Sequence, residues 1–120
     1  MPPLISSPHC MKTLLTLIVF LLPLSASAKV DLDKLSRAVA VAETGNCTAG
    51  VGKSKNNCHG IRGKKGFLVF KSPAASHAHF KAMWLRVYGD RFPTPADAKT
   101  YVGTSGAAGW LKTVTAVYNR

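Results

Sequence analysis

Residues 31–45 read DLDKLSRAVAVAETG, and residues 46–66 read NCTAGVGKSKNNCHGIRGKKG; the break between them decides the fold. In the first stretch Leu32, Leu35, Ala38, Val39 and Ala42 recur at three- and four-residue spacing, which puts them on one face of a helix. Asp31 is a suitable N-cap, early acids suit the positive end of the helix dipole, and Gly45 is a stop signal, so the helix is predicted to end near Glu43. In the second stretch the composition turns to Gly, Asn, Lys and Ser without any period. It reads as a long loop, and long loops in small domains usually carry function.

Working outward, Gly66-Phe67-Leu68-Val69-Phe70-Lys71 is short and rich in strand formers, so a β-hairpin arm is expected between Ile61 and Lys71. Ser72-Pro73 is an N-cap followed by a first-turn proline, after which Phe80, Met83, Trp84 and Val87 repeat at helical spacing as far as Gly89. Thr94-Pro95 repeats that start signal for a shorter helix ending at Gly103. A last helix is expected over Ala107 to Tyr118, with Trp110, Leu111, Val114 and Val117 inward. The pattern is mainly α, with one small β element inserted after the first helix, in a single domain.

Upstream of this domain, Met11 and Lys12 precede an apolar run, Leu14 to Leu24, and then Ser25-Ala26-Ser27-Ala28. Charge, apolar stretch and small-residue cleavage site are the three parts of a secretory signal, so cleavage after Ala28 is expected. The run is too short, and broken by Pro23, for a membrane anchor, which needs about twenty apolar residues. Residues 1–10 read as an upstream extension, and Cys10 lies on the wrong side of the run for a lipid anchor. The expected mature chain is residues 29–120, secreted or periplasmic and monomeric.

Cys47 and Cys58 remain in that mature part. An even count in an oxidising compartment reads as one disulfide, with two free thiols as the alternative. Of sixteen Lys and Arg only Lys12 falls in the leader, so fifteen cations face five acids, a net charge of about +10. Such a field favours polyanions without choosing among nucleic acid, anionic membrane and anionic bacterial wall; it also serves plain solubility.

Glu43 is the only glutamate, and it stands in the last helical turn, where the dipole disfavours a carboxylate. A purely structural acid belongs in the first turn. An acid that must hold its proton suits the last one, and glycosidic cleavage needs a protonated carboxyl to give a proton to the leaving oxygen. Position alone leaves a solvated surface glutamate equally open.

Ala42-Glu43-Thr44-Gly45-Asn46, then Asn56-Asn57-Cys58-His59-Gly60-Ile61, then Gly66-Phe67 to Phe70 and Ser72 to Ser76, resembles the glucosaminidase and lytic transglycosylase branch of the lysozyme-like superfamily. The likeness runs over roughly residues 33–119, and the order and spacing of short motifs carry it. It implies a small lysozyme-like helical domain acting on the β-1,4 linkage of peptidoglycan, with Glu43 as general acid. It places Asn56, Asn57, Gly60 and Ile61 in the segment shaping the cleft floor, where an asparagine could bind sugar hydroxyls or acetamido groups. His59 takes the place of an aromatic and would stack on a sugar or hydrogen-bond to it; Tyr101 would line the cleft or support the reacting centre. The plainer alternatives are that Asn56 and Asn57 are turn formers and Tyr101 a core residue.

One departure from the glucosaminidase pattern bears on mechanism: no second acid stands between Glu43 and Asp90. A mechanism with two carboxylates is thus disfavoured. The remaining possibilities are Glu43 acting alone, with attack by the sugar's own hydroxyl, by water or by the substrate's acetamido group. His77 and His79 are two apart and do not share a helix face, and no zinc motif, nucleophile elbow or phosphate-binding glycine loop occurs, so neither metal nor cofactor is expected. The reading that follows is a secreted glycan-cleaving enzyme whose basic loop, with Lys53, Lys55, Arg62, Lys64 and Lys65, holds it to an anionic wall, its own or a competitor's. The rival is a non-catalytic basic binder of wall polymers or nucleic acid.

Overall fold

The computed structural model describes residues 29–120; the leader expected over residues 1–28 lies outside the described residues. The order is α1 (Leu32–Thr44), α2 (Gly50–Lys55), β1 (Arg62–Gly63), β2 (Gly66–Phe67), α3 (Pro73–Val87), α4 (Pro95–Val102) and α5 (Ala107–Tyr118). The domain is thus mainly α with one small antiparallel hairpin.

The start and stop signals act as their chemistry requires. Asp31 accepts from the Lys34 amide, Ser72 accepts from the Ala75 amide ahead of Pro73, and Thr94 and Asp97 form a reciprocal capping box ahead of α4. Gly45 closes α1 in the left-handed conformation at φ 59°, and its amide returns to the Val41 carbonyl at 3.0 Å. The α1 helix packs along α5, α5 also packs on α4, and α3 crosses α1 from another side. Their shared core is Leu35, Ala38 and Val39 of α1, Phe80 and Trp84 of α3, Ala98 of α4, and Ala107, Trp110, Val114 and Val117 of α5. Each large apolar side chain buried there contributes about 1.5–3 kcal/mol.

Three expectations need correction. The segment after Gly45 is not structureless, for it holds the short helix α2. Its one buried residue is Gly52, which lies so close to α1 that a Cβ there would stand 2.6 Å from Thr44 Oγ1. A helix that docks through a glycine leaves no apolar period to read. The hairpin is also shorter than expected, with two residues per strand and Arg62 opposite Phe67. Past Phe67 the Leu68 amide still reaches the Ile61 carbonyl at 3.0 Å, but the Phe70 amide turns to Lys55 at 2.9 Å, and Val69 is left 70% exposed. Finally, Val87 is exposed: Tyr88 covers that end of α3 in its place, its ring stacked 4.1 Å from Trp84.

Cys47 and Cys58 are joined in a disulfide, their Cα atoms 4.5 Å apart. It ties the turn after α1 to the segment entering the hairpin, and Thr44 Oγ1 reinforces the same tie by donating to the Cys58 carbonyl at 2.7 Å. No helix among the described residues is long and apolar enough to cross a membrane.

Candidate active site

Ending α1 at Thr44 leaves Glu43 half-buried at the floor of a cleft of about 480 Å³. The walls are Gly60 and Ile61 from the loop, Arg62 and Phe67 from the hairpin, Met83 and Tyr88 from the α3 end, and Thr100, Tyr101 and Val102 from α4. Gly60 adopts φ +66°, in the left-handed region that favours glycine, and a Cβ on it would stand in contact with Glu43 Oε1 at 3.4 Å. The bare backbone therefore leaves the carboxyl room to be approached.

Glu43 Oε2 is buried without a hydrogen-bond partner, and so is the indole Nε1 of Trp110. Loss of water around the carboxyl pushes its pKa above the ordinary glutamate value; the Trp110 N–H opposes this weakly, without completing a bond of ordinary geometry. The cleft thus holds a carboxyl biased toward its protonated form beside an unspent N–H donor. The other described acids are engaged elsewhere. Asp31 caps α1, Asp33 pairs with Lys81 at 2.8 Å, Asp90 accepts from the Val30 amide, and Asp97 pairs with Arg91. None of them lines the cleft.

Tyr101 has a double placement. Its hydroxyl donates to the His59 carbonyl at 2.9 Å, and its ring stacks 5.2 Å from Trp110. Burial, and then the nearby Glu43 and Tyr88, push its phenol pKa well up, so it is a neutral donor that fixes the loop carrying Gly60 while forming part of the cleft wall. The two alternatives for Tyr101, core residue and cleft residue, are both satisfied.

The asparagines and His59 are placed differently from what a sugar contact requires. Asn57 is fully buried: its Nδ2 donates to the carbonyls of Ile61 and Leu68 at 2.8 and 2.9 Å, and its Oδ1 accepts from the Ile61 amide at 2.9 Å. Both Nδ2 protons and Oδ1 are engaged in holding the loop against the hairpin, and full burial keeps the side chain from a hydroxyl or acetamido group. Asn56 caps α2 in the left-handed conformation at φ 53° and donates to the Phe70 carbonyl at 3.1 Å, away from the cleft lining.

His59 is fully buried and cannot reach a sugar. Its ring stacks 4.3 Å from Phe80 and meets His77 edge-on at 4.7 Å. Its Nε2 lies 2.9 Å from the Ser36 carbonyl, which assigns the proton to that nitrogen, and Ser36 Oγ is then free to donate to His77 Nδ1 at 2.6 Å. Desolvation pulls the His59 pKa down to about 3, against the pull of the Ser36 carbonyl, so the ring is neutral at ordinary pH.

Of the residues expected at the site, Glu43, Gly60, Ile61 and Tyr101 come together, while Asn56, Asn57 and His59 build the scaffold behind them. Phe67, Met83, Tyr88, Thr100 and Val102 were not expected as lining, nor Trp110 as the neighbour of Glu43. Met83 and Trp110 carried a helical-period signal that reads as core; Tyr88 and Thr100 gave no signal. A second concavity of about 510 Å³ between α4 and α5 is lined by Pro95, Ala108, Leu111, Lys112, Thr115 and Ala116. It is slightly larger but contains no acid, so volume alone does not mark the chemistry. The cluster of metal-ligand type among the described residues, Cys47, Cys58 and His77 within 4.8 Å, has both sulfurs committed to the disulfide.

No protein-family model, curated protein or solved structure matches this chain.

Proposed function

We propose that the protein is an exported glycosidase of lysozyme-like type that cuts the β-1,4 linkage of peptidoglycan, with Glu43 as proton donor. One observation carries the reading: a half-buried carboxyl with an unpartnered oxygen and a raised pKa lines an open cleft of about 480 Å³. The residue order that resembles the glucosaminidase and lytic transglycosylase branch supports the same assignment.

In this reading Glu43 gives its proton to the glycosidic oxygen as the C1–O bond breaks, and the developing positive charge on the sugar is met by the carboxylate left behind. With no other carboxylate in the lining, C1 is captured by a water molecule or by a nucleophilic oxygen of the substrate itself. If a hydroxyl is the captor, its proton returns to Glu43, and the residue ends the cycle as it began.

The test is release of soluble fragments from purified wall by the chain and by Glu43→Gln, with mass spectrometry of the products to distinguish reducing from anhydro ends. Loss of a positioned general acid lowers the rate by about 10²–10⁴-fold. Unchanged turnover in Glu43→Gln would remove the carboxyl from the mechanism. Wall association that survives without any turnover in either protein would favour the basic binder.

A further inference from the structure

The cleft carries a group that cutting a neutral glycan does not need. Arg62 is the one cation among its lining residues. It is exposed on β1, opposite Phe67 on β2, and its guanidinium carbon lies over the Phe67 ring at 4.1 Å from the centroid. Contact with the ring face attracts the guanidinium without using its N–H donors. The carboxylates in ion pairs among the described residues are Asp33 and Asp97, held by Lys81 and Arg91, so neither occupies those donors.

Sugar hydroxyls and amides offer single, neutral hydrogen bonds. A planar fork held on an aromatic ring matches the two oxygens of a carboxylate, and a charge-assisted pair of this kind is roughly twice as strong as a neutral one. We propose that Arg62, seated on Phe67, is a carboxylate-recognition subsite at the cleft edge, and that the substrate is glycan still bearing its carboxylate-rich peptide substituents. Neutral glycans such as chitin lack the group that Arg62 reads, whereas a wall strand stripped of peptide keeps one lactyl carboxylate on each muramic acid. The inference rests on the reading of this cleft as a glycan site, while Arg62 contacts a substituent and takes no part in bond cleavage.

The experiment compares kcat/KM on intact wall glycan with kcat/KM on the same glycan after carbodiimide coupling to ammonia has turned its carboxylates into neutral amides, for the unaltered chain, Arg62→Gln and Arg62→Lys. The unaltered chain should favour the carboxylate-bearing strand, chiefly through KM. Arg62→Gln should cut that preference about tenfold, and Arg62→Lys, which keeps the charge but loses the fork, should fall between. A preference that is absent, or equal in all three proteins, overturns the proposal. Equilibrium binding of a soluble disaccharide-peptide and of the same compound with its carboxylates amidated is measured in parallel. If the chain cleaves nothing, the glycosidase reading fails, and the binding arm still decides whether Arg62 selects the carboxylates: a preference lost in Arg62→Gln sustains the subsite, and equal binding removes it.

Discussion

Glu43 and Trp110 are neighbours with a buried acceptor and a buried donor that do not complete a bond. The indole N–H favours the charged carboxylate, so removing it must raise the Glu43 pKa further. Because the protonated form is the one that donates, activity falls as pH rises through that pKa. Trp110→Phe should therefore move the alkaline limb of the pH–rate profile to higher pH while lowering the maximal rate, as measured on soluble wall fragments. A limb that stays in place, or moves toward acid, would separate Trp110 from the titration. Position in the sequence had marked Glu43 as misplaced for a structural acid; it could not mark Trp110, because a tryptophan at core spacing looks the same whether or not its N–H is spent.

His59 carries a second residue-scale consequence. Its folded pKa of about 3 lies below the unfolded value of 6.5, so between those two values the unfolded chain binds a proton that the folded chain does not. Stability is accordingly full above pH 6.5 and falls as pH drops toward 3, at up to about 1.4 kcal/mol per pH unit. His77, also lowered by desolvation, adds to this slope, whereas the raised Glu43 opposes it. The melting temperature should drop between pH 7.5 and pH 5, and His59→Gln, although less stable throughout, should show a smaller drop. An equal drop in both proteins would mean that the Ser36–His59–His77 network does not govern acid sensitivity. The sequence placed His59 in the right segment for the wrong reason. Its burial depends on Phe80 and Ser36, from two other helices, and no local pattern reports that.

At the scale of elements, the turn between α1 and the hairpin is where local propensity is weakest. The α2 helix has six residues, two of them glycine, and an N-cap without a side-chain bond. What holds it is the docking of Gly52 on Thr44, the Thr44 bond to Cys58, and the Cys47–Cys58 bridge. Closing a loop with a sequence separation of 11 removes about 3 kcal/mol of unfolded-chain freedom. For a domain of this size that corresponds to roughly 10–20 °C in melting temperature. The paired Cys47→Ser, Cys58→Ser variant should lose stability on that scale and show faster amide exchange over residues 46–61 than over α5. Uniform exchange would mean that the bridge supports the whole core and not this segment. The same logic explains what was legible. The four longer helices announce themselves through caps, prolines and apolar period, and their bounds fall within a residue or two of those signals. The α2 helix and the truncated hairpin are set by tertiary contacts made through a glycine and an asparagine side chain, which carry no period.

For the molecule as a whole, the charge is the property most open to a test that spares the catalytic residue. The chain carries sixteen Lys and Arg against five acids, and two of those cations, Lys81 and Arg91, are paired with carboxylates among the described residues. Lys53, Arg62, Lys64 and Lys65 are exposed, and Arg62 lines the cleft that holds Glu43, so their field acts on a polyanion approaching this segment. At 0.1 M salt such a field reaches about 10 Å, and at 1 M about 3 Å. Adsorption to insoluble, anionic wall should therefore weaken steeply between those salt concentrations, and turnover of the insoluble polymer should weaken with it. Turnover of a soluble fragment should change far less, since the chemistry at Glu43 depends on a desolvated carboxyl that bulk salt barely screens. Replacing Lys53, Lys64 and Lys65 together by Gln should flatten the salt dependence on wall without altering the pH profile on fragments. If the lysine variant and the unaltered chain lose adsorption in parallel as salt rises, capture of the polymer is driven by contacts within the cleft and the basic rim serves only solubility.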